Sequence, residues 1–208
     1  MAGTLKTSIF LNFQNKFKER CTTLFVEAYS TSISNKSILL DFHENDITAI
    51  LHNYIDENPK RKTWEISTNL ENHLFDREAE FVKGFAAEFS RIDMRFTKFW
   101  KKEEFKYHVE AKNLKANDSG LKRRYISTGI DNFLKGGKYF ECEGFLVGYI
   151  LEGTVDNCVE GINKLLQKDE RVAERINNNF FSTHNGKELF HLFLDCYYGP
   201  FEKETRKR

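Results

Sequence analysis

The stretch FKYHVEAKNLK, residues 105–115, puts a carboxylate and an ammonium two residues apart on a segment that alternates apolar and polar positions. Phe105, Tyr107, Val109 and Ala111 take the odd places, and Lys106, His108, Glu110 and Lys112 the even ones. A strand sends successive side chains to opposite faces, so Glu110 and Lys112 point the same way, about 7 Å apart along the chain. RIDMRF (91–96) alternates too, with Ile92, Met94 and Phe96 on one face and Arg91, Asp93 and Arg95 on the other. Paired as a hairpin, the two segments set Asp93 nearly opposite His108 to Glu110. Two carboxylates and a lysine then converge on one sheet face. Hard oxygen donors a few ångströms apart suit Mg²⁺ or Mn²⁺, which keep some of their waters and can also take a phosphate oxygen. Such an ion lowers the pKa of a bound water and neutralises charge developing on a phosphoryl group. Lys112 would orient that water or stabilise the same charge.

A plainer reading stands beside this one. Glu110 and Lys112 would also make a solvated stripe, paired across the strands with Arg91 or Arg95 for a fraction of a kcal/mol. Asp93 between two arginines reads equally as a structural ion pair or as an acid whose neighbours hold phosphate beside a metal. His108, on the same face, fits a supporting or nucleic-acid contact better than a metal ligand.

The elements that must position these residues follow from periodicity. Phe10, Phe13, Phe17, Cys21, Leu24, Phe25 and Ala28 recur at spacings of three and four and predict an amphipathic helix over 8–29. A second helix begins near Asn45-Asp46 and runs through Ile47, Ile50, Leu51, Tyr54 and Ile55 to the NPK at 58–60. TWEISTNL (63–70) alternates as a strand, and TKFWKKEE forms the loop that joins the two hairpin strands. Residues 123–139 suit a helix stopped by Gly136-Gly137. GFLVGYILEG (144–153) is apolar on both faces, as a central strand covered on both sides would be. A helix through Val155, Cys158, Val159, Ile162, Leu165 and Leu166 follows, and 188–198 supply a late strand. The expected fold is α/β, a central mixed sheet flanked by helices.

The 208 residues are most simply one domain. The formal charge of +1 hides a local asymmetry: residues 98–124 carry nine Lys or Arg against four acids. Lys101, Lys102 and Lys106 lie in this run with Phe99 and Trp100, so lysines for phosphate alternate with aromatics that can stack on a base or cap the core. A second basic run, KETRKR, closes the chain. Four cysteines without CxxC spacing argue against a zinc site or a disulfide scaffold. No apolar run is long enough for a membrane span or a signal peptide, which makes the cytoplasm the expected compartment.

The pattern Asp93-x16-Glu110-Ala111-Lys112 on a hairpin, after a helix and a strand and before a basic helix, resembles the PD-(D/E)XK nuclease superfamily. The resemblance spans roughly 110 residues, and 44–152 read in the order of that family's αβββαβ restriction-endonuclease-like core, with an N-terminal helix and a C-terminal helix-strand extension. Ile92 stands where the family name has proline. What the resemblance implies is a Mg²⁺- or Mn²⁺-dependent nuclease, an endonuclease acting on DNA before RNA, in restriction, repair or phage defence. Asp93 and Glu110 would hold the metal, with the Ala111 carbonyl as a further ligand, and Lys112 would assist the attacking water. Glu44 is the candidate for the additional glutamate of the first core helix, ahead of Glu71 and Glu80, although it also suits a helix N-terminus electrostatically. No Gln motif follows Lys112, so Lys122, Arg123, Arg124 or Tyr125 would contact nucleic acid together with Arg91, Arg95, Lys101, Lys102 and His108. A homodimer or partner subunits would fit, since cutting both strands at once calls for two sites. The competing expectation is a catalytically silent nucleic-acid-binding or assembly subunit that keeps the fold.

Overall fold

The structure, a computed structural model, describes residues 2–73 and 91–197, with the side chains of 2–6 and 71–73 left out of that description. Two helices lead, α1 (Ala2–Ser34) and α2 (Glu44–Glu57), followed by a single helical turn, α3 (Pro59–Thr63). Three antiparallel strands come next: β1 (Ser67–His73), β2 (Arg91–Trp100) and β3 (Glu103–Lys115). Helix α4 (Ser119–Arg124) runs on through a wide π turn (Tyr125–Ile130) and a 3-10 turn (Asp131–Phe133) before β4 (Gly144–Glu152). The chain closes with α5 (Val155–Lys168), β5 (Phe181–His184) and β6 (Lys187–Asp195). The strands form one mixed sheet in the order β1-β2-β3-β4-β6-β5, in which β4 lies parallel to both neighbours. The protein is thus α/β, with helices on both faces of the sheet.

Each face has its own core. The odd positions of β3 and β4 (Phe105, Tyr107, Val109, Ala111, Phe145, Val147, Tyr149) pack with Met94 and Phe96 under α1 and α2, which contribute Phe17, Cys21, Leu24, Phe25, Ile47, Leu51 and Ile55. The even positions Leu114, Leu146 and Ile150 pack against α4, its π turn and α5. Covered on both sides, β4 is buried along almost its whole length, as its unbroken apolar run requires.

Several expectations shift. Helix α1 extends beyond 8–29 in both directions, and Pro59 starts α3 as well as ending α2, a position where its missing N–H costs nothing. Trp64 caps α3, so the first strand starts at Ser67. TKFWKKEE is strand almost throughout, leaving a two-residue turn at Lys101-Lys102 in which Lys101 takes a φ of 58°. The helix expected over 123–139 starts at Ser119, with Asp118 accepting the Leu121 N–H, and is over by Phe133. Strand β5 answers to no sequence expectation. Ile92 also leaves the face assigned to it: Met94 and Phe96 join the core under α1, whereas Ile92 joins the core under α4. The turnover falls where β2 parts from β3, at Asp93.

Candidate active site

Pairing between β2 and β3 ends at Met94↔Val109. Continued by one step, that register sets Asp93 opposite Glu110, the juxtaposition expected from the alternation of the two strands. Beyond this point β3 has no strand neighbour on its β2 side among the described residues. The N–H groups of residues 111 and 113, which point to that side, need other acceptors. Two carboxylates take them: Asp93 Oδ2 accepts the Ala111 N–H at 2.7 Å, and Glu44 Oε2 accepts the Asn113 N–H at 2.9 Å. Glu44 is brought there as the first residue of α2, whose start is fixed by Asp46 Oδ2 accepting the His43 N–H at 2.9 Å. The gap between β2 and β3 thereby gathers Asp93 and Glu44 beside Glu110 and Lys112.

At the centre lies the Lys112 ammonium. It donates to Glu110 Oε1 at 2.6 Å and to the Ala111 carbonyl at 2.7 Å, and lies 3.7 Å from Glu44 Oε1. Glu110 and Lys112 are each 5 % exposed, which rules out the solvated stripe. The other carboxylate oxygen, Glu110 Oε2, is buried and has no hydrogen-bond partner among the described residues. The Tyr139 hydroxyl, close enough to feel Glu110 and Asp93, donates instead to the Arg91 carbonyl at 2.6 Å. Burial first, then the Asp93 charge, push the Glu110 carboxyl up to about 8, with Lys112 pulling the other way. Burial opposes the charge on Lys112, but Glu110, Asp93 and Glu44 hold its ammonium above the ordinary lysine range.

The roof over this pair is the π turn. A Cβ on Gly129 would stand 2.7 Å from Leu146 and 3.8 Å from the Lys112 side chain, so glycine lets the turn press onto β4 beside Lys112. Two cavities flank the acids. One of about 440 Å³ is lined by Glu44, Asn113, Lys115 and Arg124, and one of about 330 Å³ by Asn45, Thr48, Ala49, Leu70 and Asp93.

The remaining candidates divide. Arg124 pairs with Glu44 at 3.1 Å, and Arg123 with Asp169, both from the surface. Lys101 and Lys102 are exposed at the hairpin turn, Arg91 is exposed on β2 and Arg95 is half-buried. Three residues face inward and offer nucleic acid no surface. Lys122 is buried and donates to the Ala116 carbonyl at 2.6 Å. Tyr125 is fully buried against His191. His108 is buried with Nδ1 3.0 Å from the Glu143 carbonyl, and burial lowers its pKa, keeping the ring neutral. These three sit on elements covered by α5, β6 or the 139–143 loop, which a tally of basic residues along the chain does not register. Glu71 has no described side chain, and Glu80 and the KETRKR tail lie outside the described residues. Tyr139 and Gly129 have no site role in the sequence reading, although the Gly129-Ile130 pair belongs to the resemblance; both reach the site through the chain's path after α4.

Among the described residues no three Asp, Glu, His or Cys side chains are grouped closely enough to cage a metal as they stand. The cationic place among the oxygens is filled by Lys112. The donor set nevertheless suits a hard divalent ion: carboxylates, a backbone carbonyl, and a buried Glu110 oxygen with no partner. Lys112→Met, which keeps the stem and removes the charge, leaves Glu110 to carry a proton or stand unpaired. Urea unfolding is expected to show a loss of about 3 kcal/mol at pH 9, shrinking toward pH 6 as Glu110 takes up a proton, with Mn²⁺ restoring stability more in the variant than in the wild type. Comparison of the chain with protein-family models, curated proteins and solved structures returns no match.

Proposed function

We propose that this chain is a metal-dependent nuclease of the PD-(D/E)XK kind, hydrolysing phosphodiester bonds in DNA ahead of RNA. The observation that carries the reading is the meeting of Asp93, Glu110, Glu44 and Lys112 where β2 leaves β3. Asp93, Glu110 and the Ala111 carbonyl would hold Mg²⁺ or Mn²⁺, with Glu44 beside them. When bound, the ion lowers the pKa of a water and neutralises charge on the phosphate. Lys112, kept charged by its neighbours, would donate a hydrogen bond that orients the attacking water or stabilises the charge developing on the phosphate. Arg124 is an exposed cation that reaches this reaction centre through its pair with Glu44. A cytoplasmic role in restriction, repair or defence follows from such chemistry, as does pairing of two copies to cut both strands.

The silent-subunit reading draws on one specific observation: Lys112 already neutralises the oxygens that a metal would use. Incubation of linear, circular and single-stranded DNA, and of RNA, with Mg²⁺ or Mn²⁺ separates the two. Metal-dependent cutting is the expected result, with scission of the circle marking an endonuclease. Intact substrates together with no calorimetric Mn²⁺ binding would instead leave a binding subunit.

A further inference from the structure

The sheet face that holds Glu110 and Lys112 continues outward along the β2–β3 hairpin. Same-face partners across the two strands are Arg95↔His108, Thr97↔Lys106 and Phe99↔Glu104. Toward the tip this face turns from buried to open: His108 and Thr97 are buried, Lys106 and Glu104 exposed, and Phe99 is 68 % exposed. The opposite face behaves otherwise. There Trp100 stacks on Phe13 of α1 at 4.8 Å between centroids and Lys98 is buried, donating to the Trp64 carbonyl at 2.6 Å. The two aromatics of the basic run therefore have different employments, Trp100 in the core and Phe99 in solvent. The turn beyond Phe99 is Lys101-Lys102, both exposed.

We infer that this face of the hairpin is a track for single-stranded nucleic acid, with Phe99 as the platform on which an unpaired base stacks. The inference rests on the nuclease reading for the direction of the track, since it leads from Phe99 toward Asp93 and Glu110. Six residue steps, about 20 Å along β2, separate Phe99 from Asp93, a length that several backbone phosphates span, crossing over the buried Thr97 and the half-buried Arg95. Charge complementarity selects the occupant. Between Arg95 and Lys106 five basic residues face two acids. Lys98 is taken up internally by Glu65 at 3.1 Å, Lys106 shares Glu104 at 2.9 Å and Lys101 lies over the Trp100 ring at 5.0 Å, which leaves Arg95 and Lys102, with Lys101 once it swings off that ring, for phosphates. An aromatic ring amid cations matches a chain that alternates phosphates with exposed base faces, whereas a duplex hides those faces in its stack. The substrate class implied is a single strand, or a duplex with an unpaired end.

Fluorescence anisotropy with a labelled oligothymidylate in EDTA tests this without cleavage. Wild type is expected to bind the single strand more tightly than a blunt duplex of equal length. Phe99→Ala should weaken single-strand binding about tenfold, equivalent to ~1.4 kcal/mol, at an unchanged salt slope, and Phe99→Trp should restore it. Lys101→Gln with Lys102→Gln should flatten the salt slope by about one to two units. Affinity indifferent to Phe99, or equal for strand and duplex, overturns the track. Cutting by a wild type whose binding ignores Phe99 overturns the track and spares the nuclease. Phe99-dependent binding without cutting upholds the track and removes the nuclease.

Discussion

Glu110→Gln is expected to gain resistance to unfolding and, under the nuclease proposal, to lose metal-dependent cleavage at the same time. The two effects come from one carboxylate. In the folded protein Glu110 is buried, lies near Asp93 and Glu44, and keeps one oxygen without a partner. Its pKa stands near 8 against an ordinary 4.5. Between those values the folded state holds a proton that the unfolded state has released, so stability falls as pH rises, by up to about 1.4 kcal/mol per unit. The isosteric amide does not titrate. It costs Lys112 one charged acceptor while leaving the Ala111 carbonyl and Glu44, which offsets part of the gain. The variant should therefore match the wild type near pH 5 and exceed it by about 1–2 kcal/mol at pH 8, after allowing for that offset. Under the nuclease proposal the same change removes a charged metal ligand, and cleavage at saturating Mg²⁺ should fall at least about a thousandfold. Paired urea titrations and cleavage time courses across pH 5–9 check both. A variant that is less stable at pH 8 would contradict the burial reading, and one that still cuts would contradict the proposed role.

A site that destabilises its own fold is also one whose residues can be found from sequence, because only chemistry or a partner explains a carboxylate on a buried face. The alternation in 91–96 and 105–112 was legible, and it led to Asp93, Glu110 and Lys112 meeting. Glu44 had no such support from periodicity; it lies 49 residues from Asp93 by number and is joined to the site by a hydrogen bond to the β3 backbone, which no side-chain pattern records. Lys122 and Tyr125 looked available because charge and a hydroxyl read as surface. The π turn carries Tyr125 inward, a backbone departure that YISTGI does not announce, and Lys122, on α4, folds back to the Ala116 carbonyl. Strand β5 was within reach: Asn185-Gly186 takes the positive φ angles (48° and 86°) of a tight hairpin, and Asn-Gly is the strongest short signal for one. The apolar run of β6 is the stronger signal beside FSTH, whose Ser182 and His184 turn inward while Thr183 stays exposed.

Those inward polar residues carry the second large expectation. Ser182→Ala should cost about 4 kcal/mol, although it removes one oxygen atom far from the acids. Five side chains form a chain through the core beside β6. Arg171 holds Glu174 at 2.6 Å and Asp131 at 2.8 Å. Against the penalty of burial, Arg171 and His184 keep the Glu174 carboxyl below its ordinary pKa, so it accepts the His184 Nδ1–H at 2.5 Å. His184 Nε2 is then the acceptor for the Ser182 hydroxyl at 2.6 Å, and Ser182 Oγ accepts the His191 Nε2–H at 2.7 Å. His191 Nδ1 is left to accept from Tyr125 at 2.9 Å. Every donor has one acceptor, and the direction of the whole chain is set by the charge on Glu174. Alanine at 182 orphans two buried imidazole nitrogens at once, each worth about 1–3 kcal/mol. The same chain predicts acid sensitivity. Burial first, then the neighbouring His184, lower the His191 pKa to about 3, so below the ordinary 6.5 the unfolded state takes a proton that the folded state refuses. The share of stability that His191 contributes is complete above pH 6.5 and declines toward pH 3, by up to about 1.4 kcal/mol per unit, against the opposite slope that Glu110 adds. His191→Phe keeps the ring volume and should flatten that acid slope while lowering stability at pH 7 through the stranded Tyr125 and Ser182 hydroxyls. Urea midpoints at pH 4, 5, 6 and 7 for the wild type and both variants decide the matter. A difference between wild type and His191→Phe that stays constant over that range would mean that His191 titrates alike in the folded and unfolded states, and that the chain from Tyr125 to Glu174 does not hold together.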